Sequence, residues 1–254
     1  SPQQMFGSVI KTYFAQKKGI APENITCVSI MPCMSKKREL TLPGMDSAGT
    51  GQDIDYVLTT REICRLIKAD HIDVSRLPEC DFDDPLGEAT GAGVIFGASG
   101  GVLEAALRTA YHTVTGENPE IGEQSPLKVL RQIGSFKELE IDIKGVKLHC
   151  AALSSLGEAR RLIQAMKRGE CHYDFVEVMA CPGGCINGGG QPLRPSFQNK
   201  PKDCADRDQC LRGYDTRSAI RFSHENKAVQ TLYEEYLGEP MSDRAHHLLH
   251  VEKY

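Results

Sequence analysis

The chain has 254 residues, 40% of them hydrophobic and 25% charged, an ordinary globular balance with enough length for one large core or two modest ones. Lys and Arg number 30 against 34 Asp and Glu, and the resulting charge of −4 gives no global positive field to favour nucleic acid or an anionic membrane. No apolar run nears the ~18 residues of a membrane span, and the ten cysteines, about 4% of the chain, fall short of the ~8–10% of a disulfide scaffold.

Ser1-Pro2 reads as a helix entry, with Ser as N-cap and Pro in the first turn. Met5, Phe6, Val9, Ile10, Tyr13 and Phe14 then recur at helical spacing and predict the buried face. Neither a basic nor an apolar leader segment is visible, so thiol, metal or redox chemistry is expected of the cysteines and a cytoplasmic location of the chain. An opening inside a packed helix also reads like the cut end of something longer. Residues 24–31 predict a buried strand and Ile54 to Leu58 a second, which enters a helix through the capping-box spacing Thr59-Thr60-Arg61-Glu62. A glycine-rich stretch from Gly87 to Gly101 leads into a helix carrying Val102, Leu103, Ala106, Leu107 and Ala110. Leu139 to Leu153 predicts a hairpin turning at Lys144-Gly145, and a helix from Glu158 to Lys167 and a strand from Asp174 to Met179 follow. Residues 193–222 read as polar and irregular, before helices at His224 to Leu237 and Asp243 to Leu249. Alternating strands and helices predict an α/β fold with mainly parallel or mixed sheets flanked by helices, with ligands beyond the carboxyl ends of strands.

Two cysteine motifs fall at such ends. Met31-Pro32-Cys33-Met34-Ser35-Lys36 follows the first strand, and Met179-Ala180-Cys181-Pro182-Gly183-Gly184-Cys185 runs on through Gly188-Gly189-Gly190 after the last. Glycines permit positive φ and bring backbone N–H groups close to a bulky anionic ligand, such as an iron–sulfur cluster held by thiolates. Lys36 adds a cation beside Cys33, and Met31 and Met179 add polarisable thioethers. A zinc knot or a glycine turn with inert thiols remains the alternative, although one C-x3-C and one lone Cys give three ligands rather than four. Cys27, Cys64 and Cys150 read as small buried hydrophobes, and Cys204 and Cys210 as a C-x5-C in a solvated loop. His246 and His250 read as surface or packing residues. Ser99-Gly100-Gly101, at a helix N-terminus, could hold an anion.

Both motifs, in this order, resemble those of the catalytic domain of the iron-only (FeFe) hydrogenases. The likeness extends to Ser1-Pro2-Gln3-Gln4-Met5-Phe6-Gly7, Lys36 with Glu39, Gly91 to Glu104, and Ser223-His224-Glu225-Asn226. The resemblance implies a two-lobed domain, here incomplete at its N-terminal side, with residues 1–196 as catalytic core and 197–254 as a C-terminal helical extension. It implies a 4Fe–4S cubane ligated by Cys33 and Cys181, with Cys185 bridging to a two-iron unit that carries CO, CN and a dithiolate bridge. Lys36 would pair with a cyanide, Met31 and Met179 would pack against the two-iron unit, and Gln3, Pro32, Phe96 and Gly97 would line the pocket. The reaction would be reversible reduction of protons to H2, with ferredoxin or a flavin/NADH subunit as redox partner. The family's Thr-Ser-Cys-Cys-Pro motif, which supplies the fourth ligand and a proton relay, is absent, as are the accessory cluster domains. The expectation is therefore a C-terminal portion of a longer chain, or one half of a split enzyme, that is inactive alone. The rival readings are a hydrogenase-like cytosolic iron–sulfur assembly protein, a sensory relative, and a cofactor-free folding unit.

Overall fold

The computed structural model describes residues 1–83, 86–122, 125–134, 136–192 and 200–251. It divides into two compact units. Ser1–Glu88, Gly189–Leu193 and Lys227–Tyr254 form the first; Ala89–Gly188 and Arg194–Asn226 form the second. The C-terminal stretch thus contributes to both. Among the described residues no helix is long and apolar enough to cross a membrane.

The first unit opens with α1 (Pro2–Val9), which runs through a π turn (Ile10–Phe14) into α2 (Ala15–Lys18) and stops at left-handed Gly19. Val9 and Tyr13 are buried as the apolar period predicts, but most of the rest of the buried face is polar. Gln3, Gln4, Ser8 and Lys11 are buried, while Phe6 is 50% exposed. The polar face has partners: Lys11 Nζ donates to Asp55 Oδ1 at 2.9 Å and to the Gln52 carbonyl at 2.5 Å. Strand β1 (Val28–Met31) leads to α3 (Ser35–Glu39) and pairs in parallel with β2 (Tyr56–Thr59). Here too the expectation of a buried strand needs correction, because Ser29 faces inward and Val28 and Ile30 are about half exposed. Strand β2 enters α4 (Thr60–Ala69) through the predicted capping box: Glu62 N donates to Thr59 Oγ1, and Thr59 N donates to Glu62. The Lys37 hydrogen bond, followed by those from Thr59, holds the Glu62 carboxyl down at about 2.

The second unit starts with α5 (Gly91–Val94), a tight turn at Ile95–Gly97 and α6 (Gly101–Thr115). Strands β3 (Leu127–Ile133), β4 (Phe136–Ile143) and β5 (Val146–Ser154) form an antiparallel meander, and α7 (Leu156–Lys167) crosses to β6 (Phe175–Met179), which pairs in parallel with β5. This sheet is therefore mixed. The hairpin turns where predicted, with Lys144 and Gly145 both at positive φ. Leu103 and Leu107 of α6 pack on Leu139, Ile141, Ile143, Cys150 and Ala152, so Cys150 is the small hydrophobe its sequence context predicts.

The polar tract expected to be irregular is in large part a helix, α8 (Lys200–Arg217). Pro201 stands in its first turn, and its inner face is ionic instead of apolar. Asp215 is buried and takes both guanidinium nitrogens of Arg108 at 3.0 Å and one from Arg221 at 2.6 Å. Burial pushes the Asp215 carboxyl up, and the two arginines more than reverse this and hold it below the usual range. The chain then returns to the first unit. The helix expected from His224 to Leu237 is broken into a short turn at Ser223–Glu225, α9 (Lys227–Leu232) and a π turn (Tyr233–Leu237), while α10 (Asp243–Leu249) forms as predicted. Leu232, Leu237, Ala245 and Leu248 pack against Val9 and Tyr13, so the C-terminal helices hold the first one in place.

Candidate metal centre

In the first unit β1 ends at Met31, and Pro32 and Cys33 lead directly into α3. Met31, Pro32 and Cys33 are half-buried. Lys36 Nζ donates to Glu39 Oε2 at 2.9 Å, one turn along the same helix. The same oxygen accepts from Gln3 Nε2 at 2.8 Å and from Ser1 Oγ at 2.9 Å, while Gln3 Oε1 accepts from Ser29 Oγ at 2.8 Å. Burial raises the Glu39 carboxyl, but hydrogen bonds from Lys36, Ser1 and Gln3 and the Lys36 charge outweigh it and hold Glu39 below the ordinary carboxylate range. Glu39 thus fixes both Lys36 and Gln3. The sequence marks its position in the motif without revealing this role.

The tail of the glycine motif also belongs to this unit. Gly190 N donates to the Pro32 carbonyl at 2.8 Å, Gly190 O accepts from Arg61 N at 2.9 Å, and Arg61 Nη2 reaches the carbonyls of Gly189 and Gln191. A Cβ on Gly190 would sit 2.9 Å from the Pro32 carbonyl carbon. This glycine is thus required by chain packing beside Cys33.

In the second unit β6 delivers Met179, and the chain turns through Cys181, Pro182, Gly183 and Gly184 to a short helical turn at Cys185–Asn187. Gly183 and Gly184 have φ of 83° and 99°. Gly183 N donates to Ser154 Oγ at 2.8 Å, Gly183 O accepts from Ser99 N at 3.2 Å, and Gly184 N donates to Cys181 O at 2.9 Å. A Cβ on Gly184 would lie 2.6 Å from Ser99 N and 2.8 Å from Gly97 O, so only glycine permits this approach. Gly97, Ala98 and Ser99 are therefore held against the Cys181–Cys185 turn, with Ile186 and Leu211 beside Gly97. The backbone at Ser155, which follows Ser154 and donates its N–H to Met179 O at the end of β6 at 2.8 Å, has φ 115°. For a non-glycine residue that conformation stores strain of order 1–3 kcal/mol.

Two expectations change here. The N-terminus of α6 already holds an anion from within the chain: Glu177, buried on β6, accepts from Gly100 N at 2.6 Å and Leu103 N at 2.8 Å. Cys204 and Cys210 lie on α8 and not in a loop, and a Cβ on Gly183 would collide with the Cys204 sulfur. Burial pushes the Cys204 thiol up. The His246 and His250 rings stack at 5.2 Å, as packing residues do.

None of the ten cysteines forms a disulfide, so the donors are thiols, the soft ligands that iron–sulfur clusters take. The Cys181–Cys185 turn adds a cradle whose glycines exclude any Cβ. Among the described residues no three His, Cys, Asp or Glu side chains surround a single metal ion. Within the second unit, Cys181 and Cys185 flank the glycine turn as two soft donors of the kind an iron–sulfur cluster takes.

A family model described as the iron-only hydrogenase large subunit, C-terminal domain, matches residues 1–189, and one described as the iron hydrogenase small subunit matches residues 203–252. The chain is 43% identical over its whole length to a subunit of the NADP-reducing hydrogenase of Solidesulfovibrio fructosivorans, spanning 42% of it. It is 42% identical, over 99% of its length, to iron hydrogenase 1 of Clostridium pasteurianum, of which it spans 43%. It is 34% identical, over 99% of its length, to a cytosolic Fe–S cluster assembly factor of Xenopus tropicalis, of which it spans 52%. An apo FeFe-hydrogenase of Chlamydomonas reinhardtii superimposes with a TM-score of 0.81 at 38% identity, covering 98% of this chain and 68% of that one. The chain thus spans about two-fifths of the Solidesulfovibrio and Clostridium hydrogenase chains and half of the assembly factor.

Proposed function

Since the chain belongs to the iron-only hydrogenase family, in the C-terminal domain of its large subunit, we propose that it forms most of a site for reversible reduction of protons to H2. The observation that carries this reading is the Cys181–Cys185 turn, whose two positive-φ glycines pack the main chain between the thiols against Gly97, Ala98 and Ser99 with no room for a Cβ. The redox chemistry, on this reading, comes from a 4Fe–4S cubane joined to a two-iron unit with CO, CN and a dithiolate bridge.

Cys33, Cys181 and Cys185 would supply three thiolates to the cubane, Cys185 being the one that would also join it to the two-iron unit, and a fourth ligand would have to come from outside the sequence described. Lys36, oriented by Glu39, keeps N–H donors for an anionic ligand such as cyanide. On this reading Gln3 and Pro32 of the first unit and Phe96 and Gly97 of the second would line the cofactor's surroundings, and Met31 and Met179 would exclude water with soft side chains. Electrons arrive from a redox partner such as ferredoxin or a flavin/NADH subunit.

Higher identity to the hydrogenases, 43% and 42% against 34% for the assembly factor, supports this reading over a cluster-binding assembly role. Infrared spectroscopy separates the two. The whole protein containing this chain, prepared without oxygen and supplied with the two-iron cofactor, is expected to show metal-bound CO and CN bands. A cubane without those bands would leave the assembly role and overturn the hydrogenase one.

A further inference from the structure

Helix α6 begins without a side-chain cap of its own. Its N-cap is Gly100, at φ 92°, which has no side chain to offer, and the first backbone N–H groups of a helix have no partner within it. Glu177 fills the gap from another element, 74 to 77 positions away in sequence, with one carboxylate oxygen on Gly100 N and the other on Leu103 N. The side chain is 7% exposed. A carboxylate at that depth is costly to bury and is stable there only because both oxygens accept N–H groups at the positive end of a helix.

The location of this bond gives it a further consequence. Glu177 is two residues before Met179 and four before Cys181, on the strand that delivers the cysteine turn. Its two acceptors hold the segment that follows Phe96 and Gly97. From that segment Ser99 N donates to Gly183 O, and Gly97 O and Ser99 N pack against the bare α-carbon of Gly184. Strand β6 therefore holds both the cysteine turn and the Gly97–Ser99 wall packed against it, one through the covalent chain and the other through a single side chain. The bonds at Ser154 and Ser99 fix the turn itself, and Glu177 fixes the wall that the turn faces.

We infer that Glu177 is a positioning residue that sets the Gly97–Ser99 wall against the Cys181–Cys185 turn. The inference rests on the hydrogenase reading for its catalytic consequence, but the bond itself can be tested without it. Glu177→Gln keeps the shape, loses the charge, and places an NH2 group against one of the two N–H donors. Ile141→Val, a core change in the same unit, serves as a control for general loss of stability.

In the cofactor-loaded whole protein, E177Q is expected to shift or broaden the CO and CN infrared bands and to slow H2 evolution about 10- to 100-fold, the scale of a small misplacement at a reacting centre. I141V is expected to lower the melting temperature while keeping wild-type bands. Wild-type bands and rate in E177Q, or a loss that matches I141V with unchanged bands, would overturn the inference. Should E177Q not accumulate as folded protein, hydrogen exchange of the wild type decides. The Leu103 amide, in the first helical turn, is expected to be protected like the helix interior, and exchange as fast as that of exposed amides would overturn the inference. Absence of CO and CN bands in the wild type together with a protected Leu103 amide would remove the hydrogenase reading, and with it the catalytic consequence, while leaving the bond in place.

Discussion

The glycine turn at 183–184 and the carboxylate hub at Glu39 place candidate cofactor-binding groups by opposite means. The turn is held by main-chain approach: two positive-φ glycines, a carbonyl on Ser99 N, and no room for a Cβ. The hub is held by side chains, with Ser1, Gln3 and Lys36 all donating to one oxygen of Glu39. Main-chain contacts carry no titratable group and tolerate no added atom. Side-chain contacts tolerate some adjustment but depend on charge. The first arrangement should be insensitive to pH and brittle to substitution, and the second the reverse.

The largest expected effect is on the brittle side. Gly184→Ala puts a Cβ 2.6 Å from Ser99 N at a residue with φ 99°, and at least about 3 kcal/mol of stability should be lost. Denaturant unfolding at pH 7 and at pH 4 should give the same loss, and a strongly pH-dependent one would break the contrast. Glu39→Gln should cost about 2 kcal/mol, since charge-assisted bonds from Lys36 give way to weaker ones. The depressed Glu39 carboxyl means that its contribution is complete above the ordinary carboxylate value near 4.3 and fades as the pH falls through its lower folded value. The difference between wild type and E39Q should therefore shrink in acid, and a flat difference would show that Glu39 acts by shape alone. Ser29→Ala is the smallest of the three. Removal of the hydroxyl leaves the buried Gln3 oxygen without that donor and should cost about 1 kcal/mol by thermal unfolding.

The same contrast explains what the sequence makes legible. Signals carried by local backbone chemistry read correctly: the Thr59–Glu62 capping box, the Lys144-Gly145 hairpin turn, and the two cysteine motifs at strand ends. Segments with polar burial do not read correctly. An apolar period locates a face that seeks apolar partners, whereas α1 turns Gln3 and Lys11 toward Glu39, Ser29 and Asp55, and α8 turns Asp215 toward two arginines. Neither the partners nor their distance is encoded within the segment itself. Glu177 is hidden in the sequence for the same reason, because nothing around it indicates that a helix start 74 residues upstream lacks a cap. The glycine motif predicts positive φ and close approach of backbone N–H groups to a ligand, and the structure adds close packing within the chain, of Gly184 on Ser99 and of Gly190 on Pro32.

The π turn at Ile10–Phe14 has a geometric consequence of its own. In an α-helix each residue advances the face by about 100°, so a turn that takes in one extra residue delays the phase of everything after it. Gln3 and Tyr13 lie on one continuous rod, yet the first answers to Ser29 and Glu39 and the second to Leu232, Leu237 and Leu248. The wide turn works as a phase adjuster between those two demands. It lets a single helix mesh with a polar neighbour at one end and an apolar one at the other without bending away from either.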